Sequence, residues 1–311
     1  MASMLGRFGS WIYQQPYLLI CIIYLTWAIN IVIGRYVAGH FPPVALSFLR
    51  WGLATLILLP FAWPYLKRDW PVIRRHLPLM TLLAVTGTSA YNTMAYWGLQ
   101  YTQAINALLT QSTAPLMIAL WTFAMFGDRL TLRQIVGILI SLVGVIVILC
   151  RGDIEVLRGV SFNRGDIWFF SALVIFAFYS ALMKKRPAMH PLSFLAFSMG
   201  WGTFWLTPFL VWEMSTGRVV PFDLTSALTI VYVAIFPSIV AYICYNRALE
   251  LIGPNRVGVL YPLIVAFGAV FAIVLLGERP QLFHAVGCVL VLGGAFIAAR
   301  KMRVHAAGAY P

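Results

Sequence analysis

The sequence predicts an all-α integral membrane protein whose ten transmembrane helices form two inverted five-helix repeats. Three observations carry that expectation: a composition too apolar for a soluble core, ten apolar runs of membrane-spanning length, and a match of the chain to itself at a shift of 150 residues. Of 311 residues, 61% are hydrophobic and 10% charged, whereas a soluble domain carries about 25% charged residues. A soluble fold of this size could not cover so much apolar surface.

The expected spans are each bounded by charge, Pro or Gly and are roughly as long as the hydrocarbon core is thick. The first, 17–37, lacks a small-residue cleavage site after a short apolar stretch and is read as a retained helix rather than a signal peptide. The second, 44–66, follows Pro42-Pro43 and stops at Lys67-Arg68; the third, 76–98, follows Arg74-Arg75. Spans 102–126 and 131–150 flank Gly127-Asp128-Arg129 and complete the first half. In the second half, 164–184 ends at Lys184-Lys185, 191–212 opens on Pro191, and 224–247 ends at Arg247. The last two, 255–276 and 281–300, flank Gly277-Glu278-Arg279. The tail "VHAAGAYP" is expected to be disordered.

At the 150-residue shift, Gly127-Asp128-Arg129 falls on Gly277-Glu278-Arg279 and Trp51-Gly52 on Trp201-Gly202, while Gly137, Gly144 and Arg35 meet Gly287, Gly294 and Lys185. Glycines, tryptophans and loop charges in one register mark a duplication, with repeats at 1–150 and 151–311. Five crossings are an odd number, so the second copy starts from the opposite side of the membrane. Inverted repeats of this kind are the architecture of many secondary transporters, whose substrate site lies at the repeat interface near mid-bilayer.

The net charge of +13 does not indicate a nucleic-acid partner, because the basic residues sit in short loops. With the N-terminus inside, cytoplasmic segments hold 15 Lys and Arg and outer segments 6, which places both termini in the cytoplasm. Cys21, Cys150, Cys244 and Cys288 have no ligand spacing and read as buried free thiols. No metal or cofactor motif, nucleophile elbow or phosphate loop is present, so an enzyme is disfavoured. The nine acidic residues fall near span ends or in loops, which disfavours coupling through a carboxylate at mid-depth.

Arg50 is the only basic residue well inside a span. It reads either as a structural or snorkelling arginine, which its position two turns into the helix favours, or as an anion partner. Polar and aromatic residues gather in corresponding helices: Trp27 and Asn30 in the first, Tyr91, Asn92 and Tyr96 in the third, Gln111 in the fourth, Tyr245 and Asn246 in the eighth, and Tyr261 in the ninth. With Tyr179 these are the expected pathway residues; Ser112 and Thr113 read equally well as packing groups. Pro115, Pro237 and Pro262 are the expected hinges, since a proline inside a span frees a carbonyl and bends the axis. Trp63, Trp70, Trp168 and Trp212 read as interfacial belt residues.

Ten spans in two halves, with "TWAINIVIGR", "SFLRWGLA", "GLQYTQAINA" and Gly-Asp/Glu-Arg after the fourth and ninth helices, resemble the drug/metabolite transporter superfamily, and each half resembles one EamA domain. Within that superfamily the chain is similar to the YddG-type aromatic amino acid exporters of the bacterial inner membrane. The resemblance implies alternating access around a central cavity, with the bilayer and a small-molecule substrate as partners, and export of Phe, Tyr, Trp or related metabolites. Asp128 departs from the family's usual Glu at that place. The alternatives are export of other amphipathic metabolites or drugs, or of phosphate esters such as nucleotide sugars. The latter would call for several basic residues at mid-depth. A scaffold or membrane enzyme is the least favoured reading.

Overall fold

The structure, a computed structural model, describes residues 11–111, 113–127, 132–149, 163–259, 261 and 263–299, and in these it is helical throughout apart from short turns. Ser112, Asp128, Cys150, Pro262 and the C-terminal tail lie outside the described residues.

In chain order the helices are α1 (Pro16–Tyr36), α2 (Pro43–Arg75), α3 (Leu77–Ala84), α4 (Tyr91–Leu99), α5 (Ala104–Gln111), α6 (Ala114–Phe126) and α7 (Leu132–Leu149). The second half follows with α8 (Arg164–Leu182), α9 (Pro191–Ser215), α10 (Leu224–Ala234), α11 (Ala241–Val259), α12 (Leu263–Leu276) and α13 (Leu282–Ala299). Two π-helical turns, Val85–Ala90 and Ile235–Val240, join α3 to α4 and α10 to α11. They lie 150 residues apart, so the repeat seen in the sequence returns as a shared backbone irregularity.

Local chemistry sets several helix ends. Proline in the first turn starts α1, α2 and α9, where its missing N–H has no partner to lose. Asn163 caps α8 by accepting from the Gly165 amide, and Asp223 caps α10 through Ser226. Gly127 (φ +68°) and Gly277 (φ +64°) follow α6 and α12 in the left-handed conformation that glycine adopts without strain. They too are 150 residues apart.

Helical stretches lie at all ten expected positions. Five are long and apolar enough by themselves to cross a membrane, and the α5–α6 pair, bent by 42°, adds a sixth, among the described residues. Two expected connections differ from the prediction. Residues 67–75 continue α2, and 248–259, including the expected start of the ninth span at 255, continue α11. Charge ends an apolar run but not a helix, and outside the hydrocarbon a polar helix keeps its own backbone hydrogen bonds.

The helices pack as α2 on α9, α7 on α13, α1 on α11 and α12, and α8 on α4 and α6. Small residues permit the closest approaches. At the α4–α8 crossing, a Cβ on Gly165 would stand 2.5 Å from the Gly98 carbonyl oxygen. Beside it, Thr102 donates to the Asp166 carboxylate. The α2–α9 pair is tied reciprocally and runs antiparallel. Glu213, near the end of α9, accepts from the Val44 and Ala45 amides at 3.2 and 2.9 Å, at the start of α2. Asp69, near the end of α2, accepts from the His190 amide at 2.8 Å, at the start of α9. Each acid lies buried on the positive end of the partner's helix dipole.

The exterior is apolar, with Leu56, Phe61, Phe209, Val211 and Val274 exposed, as a lipid-facing surface must be. The four expected belt tryptophans are 42–54% exposed. Cys21, Cys244 and Cys288 are free thiols.

Candidate functional site

Seven segments converge where α1, α2, α4, α5, α8, α11 and the Ile235–Val240 turn meet. Trp27, Asn30 and Ile31 share one face of α1, since residues three and four apart on a helix are neighbours. Arg50 enters from α2, Tyr91 and Asn92 from the start of α4, and Gln111 from the end of α5. The second half contributes Phe176 and Tyr242. Together these nine residues line a small central cavity of about 30 Å³. A volume of that order holds one or two waters rather than an amino acid.

Arg50 organises the cavity wall. It is 2% exposed. Its Nε donates to Ser238 Oγ at 2.7 Å, and Nη1 donates to Tyr96 Oη (2.7 Å), Asn92 Oδ1 (3.0 Å) and Asn30 Oδ1 (3.3 Å). Nη2 reaches the Pro237 carbonyl at 3.5 Å. The guanidinium carbon also lies 4.5 Å from the Trp51 ring centroid, a cation–π contact. This burial excludes a snorkelling Arg50.

The π-helical turns explain why so many acceptors are to hand. A π-turn interrupts the regular ladder and leaves carbonyls to be satisfied by other groups. In the second half Pro237, which has no N–H, sits within the turn, and its carbonyl accepts from Trp27 Nε1 at 3.2 Å as well as from Arg50. In the first half, Asn92 Nδ2 donates to Gly87 O and Thr88 O at 3.4 and 3.3 Å. Gly87 leaves room for Tyr179, whose ring would stand 2.4 Å from a Cβ at that position.

On the other side, Gln111 Nε2 donates to Tyr91 Oη (3.0 Å) and Tyr261 Oη (3.2 Å). Aromatic rings close the remaining walls: Tyr91 against Phe176 at 4.7 Å, Trp27 against Tyr245 at 5.7 Å, and Tyr24 against Tyr261 at 5.2 Å between centroids.

Of the pathway residues expected from sequence, Trp27, Asn30, Tyr91, Asn92 and Gln111 line the cavity. Tyr96, Tyr245 and Tyr261 lie directly behind the lining, bonded or packed to it. Tyr179 lies against the Val85–Ala90 turn and Phe176. Asn246 is half-buried on α11 and is not part of the wall. Among the expected hinges, Pro237 is inside a π-turn, Pro115 stands in the first turn of α6 just after the α5–α6 bend, and Pro262 is outside the described residues. Tyr242, Phe176 and Ser238 complete the site; Ser238 and Tyr242 stand in the polar and aromatic stretch of the eighth span but were not among the expected pathway residues, and Phe176 was not singled out. The 150-residue shift carries Asn92 onto Tyr242 and Thr88 onto Ser238, and Phe176 is one turn from Tyr179, so the signal was present for all three.

The arrangement sets one fixed positive charge among hydrogen-bond acceptors and within aromatic walls. Among the described residues no three His, Cys, Asp or Glu are grouped to hold a metal ion.

The model of the EamA-like transporter family matches residues 14–150 and again 163–300. The chain is 26% identical over 281 residues to the uncharacterized transporter YyaM of Bacillus subtilis, covering 88% of this chain and 89% of that one. It is 24% identical to a probable amino-acid metabolite efflux pump of Salmonella typhimurium (91% and 94% covered). To a probable terminal-alkyne amino-acid exporter of Streptantibioticus cattleyicolor it is 26% identical (89% and 91% covered). A solved crystal structure superposes with a TM-score of 0.58 at 18% identity, covering 92% of this chain and 96% of that one, and shares the fold.

Proposed function

The chain belongs to the EamA-like transporter family, and from that premise we propose that it exports aromatic or other neutral amino acids and related metabolites. Transport runs by alternating access through the central cavity, with the two repeats, 1–150 and 151–311, exposing it to each side in turn. The observation that carries the reading is the composition of that cavity. Its wall is drawn from both halves and combines aromatic rings with one buried cation and a few amide groups. Such a lining suits a solute that is largely apolar and carries a few polar groups at one end.

Two relatives whose names include amino-acid export support the substrate class. A phosphate-ester carrier would need several cations, whereas Arg50 is the one basic residue lining the cavity among the described residues. The excess of Lys and Arg in one set of loops supports both termini being cytoplasmic, and the bacterial relatives support a place in a bacterial inner membrane.

The test is flux from liposomes containing the purified protein and loaded with radiolabelled Phe or Trp. Protein-dependent efflux is expected, and its absence for every amino acid tried contradicts the proposal. Repeating the assay with an imposed pH gradient separates facilitated from proton-coupled transport.

A further inference from the structure

We infer that Arg50 makes the central cavity a carboxylate site in which a substrate's ammonium group is dispensable, so that the class carried is amphipathic carboxylates in general; this rests on the export reading above. Arginine keeps its proton under all physiological conditions, and a buried cation is costly unless an anion or a full set of dipoles faces it.

The groups facing Arg50 are a serine and a tyrosine hydroxyl, two asparagine amides, a backbone carbonyl and an indole ring. All are neutral. Of the three guanidinium nitrogens, Nη2 is the least satisfied, with one contact at the outer limit of hydrogen-bond length. The site thus supplies a positive charge and spare donor capacity. Carboxylate is the group whose planar pair of oxygens matches a guanidinium edge.

Among the described residues no matching negative charge awaits an ammonium group. The five carboxylates described are all engaged elsewhere. Asp69, Glu213 and Glu278 accept from amides at the starts of α9, α2 and α5; Asp166 pairs with Thr102, and Asp223 with Ser226 and His40. None of them lines the cavity. An ammonium would meet only neutral acceptors and ring faces there, which favour it weakly. A zwitterion therefore binds through its carboxylate end, and removing the two charges has unequal consequences.

The experiment compares two phenylalanine derivatives on the wild-type protein. N-acetylphenylalanine keeps the carboxylate and loses the ammonium; phenylalaninamide does the reverse. Binding is read as ligand-induced thermal stabilisation of the purified protein, and inhibition of labelled Phe efflux is read in liposomes. N-acetylphenylalanine is expected to act at concentrations within a few-fold of phenylalanine. The amide should need concentrations about 10- to 100-fold higher, the loss expected when a charge-assisted hydrogen bond is removed. Equal or better action by the amide overturns the inference, as does failure of any carboxylate to stabilise the protein. Stabilisation by N-acetylphenylalanine without Phe flux would instead sink the amino-acid export reading alone. Arg50→Gln should erase the discrimination. The wild-type comparison stands even if that variant does not fold.

Discussion

Gln111 and Tyr261 occupy the same position in the two repeats, 150 residues apart, and they touch: Gln111 Nε2 donates to Tyr261 Oη at 3.2 Å. Equivalent residues of an inverted repeat can meet only close to the axis relating the halves. Gln111 also donates to Tyr91 and lines the central cavity, so the axis passes beside the site. Replacing Gln111 by Ala leaves two tyrosine hydroxyls without this partner, at a cost of about 1–3 kcal/mol. Phe efflux per folded molecule is expected to fall by at least about tenfold. Unchanged flux with reduced stability would assign Gln111 to packing alone.

The reciprocal ties between α2 and α9 predict a large effect far from the cavity. Glu213 satisfies two amides at the start of α2 and lies 3.7 Å from Arg218. Glu213→Ala should lower stability by about 2–3 kcal/mol, the value of a lost charged cap. Glu213→Gln, which keeps one acceptor oxygen, should lie between the variant and wild type. Thermal unfolding in detergent measures both, and wild-type stability in the alanine variant would show that the tie is ornamental.

Two glycines should respond in opposite ways to the same substitution. A Cβ at Gly165 meets backbone atoms at 2.5 and 2.6 Å, from Gly98 and Thr102, which cannot swing aside. Gly165→Ala is therefore expected to destabilise by about 2–3 kcal/mol through forced separation of α4 and α8. At Gly293, by contrast, nothing lies within 4 Å of the added atom. Gly293→Ala should be neutral, or stabilising by up to about 1 kcal/mol from helix propensity. The same unfolding measurement decides both, and a reversed order contradicts the packing described.

Asp223 gives a pH dependence outside the spans. The Ser226 amide, and then the His40 ring 2.7 Å away, hold its carboxyl below the ordinary value of 3.8. A depressed folded value means that the ionised cap stabilises fully above 3.8, and that this contribution is lost as pH falls through the lower folded value. Asp223→Asn should therefore lower Tm at pH 6, and the gap from wild type should close toward pH 3. A gap that widened on acidification would contradict the direction of the shift.

Much of this architecture is legible in the sequence, because glycine, tryptophan and loop charge are distinctive within a small apolar alphabet. Gly127 and Gly277 could be aligned from sequence, and both adopt the left-handed conformation. Polar residues inside apolar runs, such as Asn92 and Gln111, could be picked out because each must find a partner away from lipid. The partners themselves were not legible. Arg50 meets Asn92 and Ser238 across 42 and 188 residues of chain, and no local pattern records such a separation. Its position two turns into a span suggested an outward reach, while the fold turns it inward. The extensions of α2 and α11 were missed for a related reason: hydropathy reports where lipid ends, and backbone hydrogen bonding decides where the helix does.

The central claim is that solute passes through the cavity around Arg50. The direct measurement is labelled phenylalanine efflux from liposomes holding equal amounts of folded wild-type protein or Arg50→Gln. Protein-dependent efflux is expected from the wild type, with a loss of at least about tenfold in the variant, as follows from removal of a charge-assisted contact. Equal efflux from the two would contradict it.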